Sequence, residues 1–113
     1  GNTFVDSHLG LPVIDKTADE LYENELFPFA EAIKSIEIDS ILVGHLAIPA
    51  LTGSPTEAAT LSAKIIKGIL REQLGFNGAV ISDALNMRSI SNLYAEKGLL
   101  EWKAFEAGND ILC

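Results

Sequence analysis

Three stretches of the chain carry side chains that can do acid, base or nucleophile chemistry. The first is Ala79-Val80-Ile81-Ser82-Asp83, an apolar run that ends at a carboxylate, with a helix-like pattern resuming near Met87. At the C-terminal end of a buried parallel strand, where α/β folds keep their chemistry, Asp83 would be placed to attack or to take a proton. Aspartate is also a favoured N-cap, so the same residue could serve only to start the following helix. The second is Ile41-Leu42-Val43-Gly44-His45, which sets a histidine just past another apolar run. The third is Asp6-Ser7-His8. In an extended segment residues two apart point the same way, and a turn would bring the Asp6 carboxylate to one imidazole nitrogen. A solvated loop histidine is the plain alternative for His8. For His45 the alternatives are a place in a ligand pocket or a hydrogen bond within the fold. The spacing of these histidines and acids matches no local metal-ligand motif, so neither a metal nor a cofactor is expected.

These residues need elements to position them. Thr17 to Glu20 reads as a capping box, hydroxyl to one backbone N–H and carboxylate back to the other. Pro28 cannot continue the helix that this box starts, so it is predicted to open a second helical piece with Phe29, Ile33 and Ile36 on one apolar face. Phe27 and Phe29 are expected in the core. Ile38 to His45 is the first strand, and a loop with Pro49, Gly53 and Pro55 follows. Ser62 is the predicted N-cap of the next helix, with Leu61 stapled onto Ile66. Ile65, Ile66, Ile69, Leu70 and Leu74 form its buried stripe, and Gly75 is the left-handed residue that ends it. Gly68 inside this helix costs about 1 kcal/mol against alanine, which close packing against a neighbour would explain. Asn77-Gly78 turns the chain into the strand Ala79 to Ser82. A helix from about Met87 breaks near Gly98, resumes through Leu100, Trp102 and Ala104 to Ala107, and stops at Gly108. Asp110 to Cys113 reads as the start of one more strand.

Composition narrows the partners. The 113 residues suit one domain with a modest core. Sixteen acidic residues against eight basic ones give a formal net charge of -8. The lysines and arginines are scattered, which argues against nucleic acid, since a phosphate backbone is bound through clustered cations. No apolar run approaches the roughly 20 residues of a membrane span, and no signal-peptide pattern opens the chain, so no membrane partner is expected. The single cysteine, Cys113, allows no intrachain disulfide. Mean hydropathy is +0.24 with 48% hydrophobic residues, rather apolar for a small soluble domain. Strands buried on both faces would give that value, and so would a surface that something else covers.

The order is helix, strand, helix, strand, helix, strand, with centres near Ile41, Val80 and Ile111, 39 and 31 residues apart. A barrel of eight βα units averages about 31 residues per unit. Long helical crossovers between short apolar strands favour parallel pairing. The fold expected is therefore α/β, the C-terminal portion of a (β/α)8 barrel and not a complete one. In parallel strands His45 and Asp83 end on one face, and a loop leading into a helix, such as Asp6 to His8, belongs on that face too.

The residues then resemble a known family. Gly1-Asn2-Thr3, Asp6-Ser7-His8-Leu9 and Leu11-Pro12-Val13-Ile14 are similar to the catalytic loop of glycoside hydrolase family 3, in its β-N-acetylglucosaminidase branch. The likeness continues through Glu25 to Phe29, Gly44-His45, Thr60-Leu61-Ser62, Leu70-Arg71, Leu74-Gly75-Phe76, Ile81 to Leu85, Met87 and Glu106 to Asp110. It covers essentially the whole chain. The resemblance implies a retaining hydrolase of terminal β-linked N-acetylglucosamine. Asp83 falls on the family's nucleophile, His8 on its general acid/base, and Asp6 on the residue paired with that histidine. It also leaves open a β-glucosidase activity, or transfer to phosphate instead of water, since a neutral histidine does not repel an anion.

Two departures qualify the likeness. The family's Lys-His-Phe-Pro-Gly-His-Gly stretch, whose lysine and histidine help hold the sugar, is not in this chain, and Asn2 stands where an Asp is common. The expectation is thus a partial catalytic domain over residues 1–113, with little or no activity by itself. The competing expectation, from another class, is a non-catalytic α/β fragment that forms homo-oligomers through an open sheet edge and an apolar face.

Overall fold

The structure is a computed structural model that describes residues 3–6 and 8–113; Gly1, Asn2 and Ser7, which take part in the motifs above, lie outside the described residues. Two short strands, β1 (Ser40–Val43) and β2 (Ala79–Ser82), pair in parallel, with Ser40 opposite Ala79 and Val43 opposite Ser82. Ile111 forms a parallel bridge to Ile81. Asp110 and Ile111 donate to the Val80 carbonyl, and Ser82 donates to that of Ile111. The segment past Gly108 thus adds itself to β2 as the sequence suggested. Val80 is fully buried, but the outer strand β1 is buried only at Val43, and Leu42 is 60% exposed.

The capping box forms as expected: Thr17 and Glu20 satisfy each other's backbone N–H at the start of α1 (Ala18–Glu20), which runs into a π-helical turn over Leu21–Glu25. Pro28 lies in the first turn of α2 (Phe27–Ser35). The loop after β1 contains the short helix α3 (Pro49–Thr52) and a 3-10 turn, Ala59–Leu61. The crossover back to β2 is Lys64–Gln73, wound as a π-helix whose Leu74 N–H reaches the Ile69 carbonyl. After β2 come α4 (Arg88–Ser91) and α5 (Leu99–Ala107). No helix among the described residues is long and apolar enough to cross a membrane.

Two clusters hold these elements together. Ile66 and Leu70 pack with Val43, Phe76, Val80 and Ala107 beneath the sheet, with Ile65 and Leu74 partly buried beside them. Leu85, Ile90, Leu100 and Ala104 form the second cluster beyond the strand ends. Each fully buried aliphatic side chain contributes about 1.5–3 kcal/mol of transfer free energy, so these clusters dominate the stability. Arg71 clamps the N-terminal end of β2. It donates to the carbonyls of Phe76 and Gly78 and pairs with Asp110 at 2.7 Å, whose carboxylate also accepts from the Val80 N–H.

Four local expectations are corrected. Phe27 and Phe29 are 56% and 47% exposed, because a sheet this narrow gives α2 little to bury against and Ile33 is its contribution to the core. Ser62 stands at the predicted start of the helix, its carbonyl accepting from the Ile66 N–H at 3.0 Å, but its hydroxyl makes no capping bond and is buried with no partner among the described residues. Leu61 packs against the second cluster while Ile66 lies in the first, so the pair forms no staple across the helix start. Gly68 faces open space, so no close neighbour accounts for it.

Candidate functional site

Asp83 follows the last residue of β2, and its backbone N–H donates to the Val43 carbonyl at 3.0 Å, tying it to the end of β1. Its carboxylate is half-buried, and Oδ1 accepts from the Ala84 N–H at 2.8 Å. It does not cap α4, which begins at Arg88 with Met87 in the N-cap position and no side-chain cap. The capping alternative open in the sequence is thus not the local structure. Oδ2 has no hydrogen-bond partner among the described residues.

Asp6 and His8 form a dyad in an exposed turn. Asp6 Oδ1 accepts from the His8 backbone N–H at 3.0 Å and from its Nδ1 at 2.9 Å. The Asp6 carbonyl in turn accepts from the N–H groups of Leu9 and Gly10, which closes the turn. The backbone N–H of His8, then its ring, hold the Asp6 carboxyl below the usual aspartate range. Because a carboxylate can only accept, Nδ1 carries a proton and Nε2 is the ring atom turned to other work.

The turn is anchored to the sheet. Ala47 donates to the Pro12 carbonyl and Ile14 donates to that of Ala47, both at 2.8 Å, so Pro12 to Ile14 runs parallel to the chain just past β1. Ala47 lies two residues beyond His45. Asp83 thus stands at the C-terminal end of the sheet, and the segment that follows the dyad is bonded just beyond the end of β1. No hydrogen bond or ion pair joins the dyad to Asp83 among the described residues.

His45 is only 1% exposed, and both ring nitrogens are engaged. Nδ1 lies 2.8 Å from the Thr60 hydroxyl and Nε2 lies 2.9 Å from the Ala84 carbonyl. Since the carbonyl only accepts, Nε2 carries the proton, and in neutral imidazole the Thr60 hydroxyl donates to Nδ1. The Thr60 carbonyl accepts from Asn109 Nδ2 at 2.8 Å, and the same amide donates to the Ala104 carbonyl at 2.7 Å. Thr60 and Asn109 belong to matched motifs, yet the sequence offers no sign that they join His45, since the contacts span 15 and 49 residues. No group of three or more His, Cys, Asp or Glu that could hold a metal ion exists among the described residues.

Comparison with known proteins identifies the family. Residues 1–113 match the glycosyl hydrolase family 3 N-terminal domain. The chain is 37% identical to beta-hexosaminidase A of Pseudoalteromonas piscicida, over 98% of this chain and 20% of that protein. It is 32% identical to the beta-hexosaminidase of Haemophilus influenzae, over 99% of this chain and 31% of that one. The fold superposes with a TM-score of 0.88 on a glycoside hydrolase family 3 beta-N-acetylglucosaminidase from Paenibacillus, at 37% identity over 97% of this chain and 20% of that structure. The chain thus spans about a fifth to a third of the length of these relatives.

Proposed function

The chain belongs to glycosyl hydrolase family 3, and on that premise we propose that it supplies the nucleophile and the acid/base of a retaining β-N-acetylhexosaminidase. Residues 1–113 would form the C-terminal part of a (β/α)8 catalytic barrel. The substrate is a carbohydrate with a terminal β-linked N-acetylglucosamine, the sugar named for the Paenibacillus neighbour. What supports this reading is the presence of the two kinds of group the reaction needs, a strand-end carboxylate bonded through one oxygen and a histidine held by an aspartate.

The chemistry follows from those groups. Oδ2 of Asp83 bonds to the anomeric carbon while the glycosidic C–O bond breaks, its electron pair going to the leaving oxygen. That oxygen takes the proton on Nε2 of His8, and the Asp6 carboxylate stabilises the imidazolium from which it comes. Water then attacks the anomeric carbon, Nε2 takes its proton, and the bond to Asp83 breaks with retention of configuration. A histidine in place of a second carboxylate also admits phosphate as the acceptor. Release of N-acetylglucosamine 1-phosphate in phosphate buffer separates the two outcomes.

The test is made in the full polypeptide that carries this chain, with aryl N-acetyl-β-glucosaminides. Asp83→Asn is expected to lower kcat by roughly 10³-fold or more, about 4 kcal/mol in barrier, for every leaving group. His8→Ala is expected to cost about 10²–10⁴-fold with a poor leaving group and much less with dinitrophenol, which departs without a proton. Wild-type turnover in both variants would overturn the assignment.

A further inference from the structure

We propose that His45 is a positioning residue: the buried relay Asn109–Thr60–His45 holds the Ala84–Leu85 peptide, one beyond the peptide that bonds the Asp83 carboxylate, and so helps to aim that carboxylate. The inference rests on Asp83 being the nucleophile. Its ground is that three polar side chains, 1%, 0% and 1% exposed, link four segments of the fold through bonds of 2.7–2.9 Å. Asn109 follows the end of α5, Thr60 lies in the 3-10 turn, His45 follows β1, and Ala84 follows β2.

The relay ends at a backbone already pinned on its other sides. The Asp83 N–H is held by the Val43 carbonyl, and the Leu85 N–H is held by the Cys113 carbonyl at 2.7 Å. His45 Nε2 donates to the C=O of that Ala84–Leu85 peptide at 2.9 Å, an oxygen that also accepts from the Met87 N–H at 3.1 Å. With its N–H and its C=O both fixed, the Ala84–Leu85 peptide has no freedom to tilt. The Ala84 N–H that orients Asp83 Oδ1 lies on the adjoining Asp83–Ala84 peptide and is joined to this plane through the Ala84 Cα. Without the His45 donor, the Ala84 carbonyl would keep only the Met87 N–H at 3.1 Å, and the peptide would be free to rotate toward that single donor. Such a rotation shifts the Ala84 Cα on which both peptides hinge, and through it would move the Ala84 N–H and the carboxylate it holds off line from the anomeric carbon. A misplacement of about 1 Å costs about 10²-fold in an oriented reaction. His45 has no ring nitrogen left for a sugar in this arrangement, so the effect should fall on turnover and not on binding.

The experiment measures kcat and KM for His45→Leu, His45→Gln and Thr60→Val in the full polypeptide, beside Asp83→Asn. Dinitrophenyl and unsubstituted phenyl N-acetyl-β-glucosaminides serve as substrates. H45L is expected to lose about 10–100-fold in kcat, by the same factor for both leaving groups, with KM within about twofold. H45Q, whose amide N–H can still reach the Ala84 carbonyl, recovers most of that loss, and T60V shows a smaller loss of the same pattern. A loss confined to the phenyl substrate would make His45 a proton donor, and a change in KM alone would make it a sugar contact; either overturns the proposal. So does wild-type kcat in H45L, or wild-type kcat in T60V should H45L not fold. Asp83→Asn with full turnover would instead remove the nucleophile reading on which the relay depends.

Discussion

Asp6 holds His8 by two bonds that make different demands on position 8. The stronger influence on the carboxyl is the backbone N–H, which any residue but proline supplies; the ring bond needs the histidine itself. Both act on the ionised form, so Asp6 is held below the ordinary aspartate value of 3.8. The sign follows from linkage. A carboxyl with a lowered folded value adds to the stability of the turn above pH 3.8, and that contribution is lost as pH falls through the lowered value. The dyad therefore remains assembled across the neutral range. Carbon-13 titration of the Asp6 carboxyl should find a midpoint below 3.8. In His8→Ala the midpoint should rise but stay below 3.8, because the backbone N–H survives. In His8→Pro it should return to the ordinary value. A full return in His8→Ala would show that the ring carries the whole effect. Spacing alone foretold that Asp6 and His8 could meet, since two residues in one turn have few ways to avoid each other. The partners of His45 were not legible in that way: Thr60 and Ala84 reach it, and Asn109 reaches Thr60, only when the chain has folded.

Two glycines in helical surroundings make opposite predictions. Gly108 ends α5 with a φ of 120°, a conformation L residues rarely adopt, and a Cβ there would lie 2.8 Å from Cγ2 of the fully buried Ile66. Gly108→Ala combines backbone strain with overpacking and is expected to cost about 2–4 kcal/mol in urea unfolding. It would also displace Asn109, the next residue and the first of the relay. Gly68 lies within the π-helix facing open space, so Gly68→Ala should stabilise by about 0.4–1 kcal/mol through a less flexible unfolded chain. Equal effects of the two would refute the distinction. Elements governed by local rules could be read in advance. The Thr17–Glu20 box, Gly75 at a φ of 71° and the apolar runs at Val43 and Val80 each declare themselves within a few residues. The π winding of Lys64–Gln73 did not, because its side chains repeat like those of an α-helix and the choice of acceptor is made by packing. The exposure of Phe27 and Phe29 was also not legible, since hydrophobic periodicity tells which face is apolar but not whether anything covers it.

At the scale of the molecule, that uncovered face is the main physical consequence. The radius of gyration, 13.7 Å, is close to the ~13 Å expected for a folded chain of this length. Yet the accessible surface is 6780 Å², against about 6,000 Å² for a monomer of this mass. Part of the excess is apolar: Phe29 and Leu42 line an open groove beside the outer edge of β1, and Phe27 is exposed next to it in sequence. Trp102 and Phe105 pair at 6.2 Å on the exposed side of α5. An open strand edge with an apolar flank is the geometry through which sheets add further chains. We therefore expect the 113-residue chain, studied by itself, to self-associate in sedimentation velocity runs as its concentration rises. The net charge of -8 opposes this. Since like charges separated by more than about 10 Å are screened at 0.1 M salt, association should strengthen as salt is added. Leu42→Lys puts a charge on the edge and should reduce association at every salt concentration, while Glu37→Gln, with no apolar area removed, should not. A chain that sediments as a monomer at all concentrations, in low and high salt alike, would show that the groove is too weak to hold a second copy.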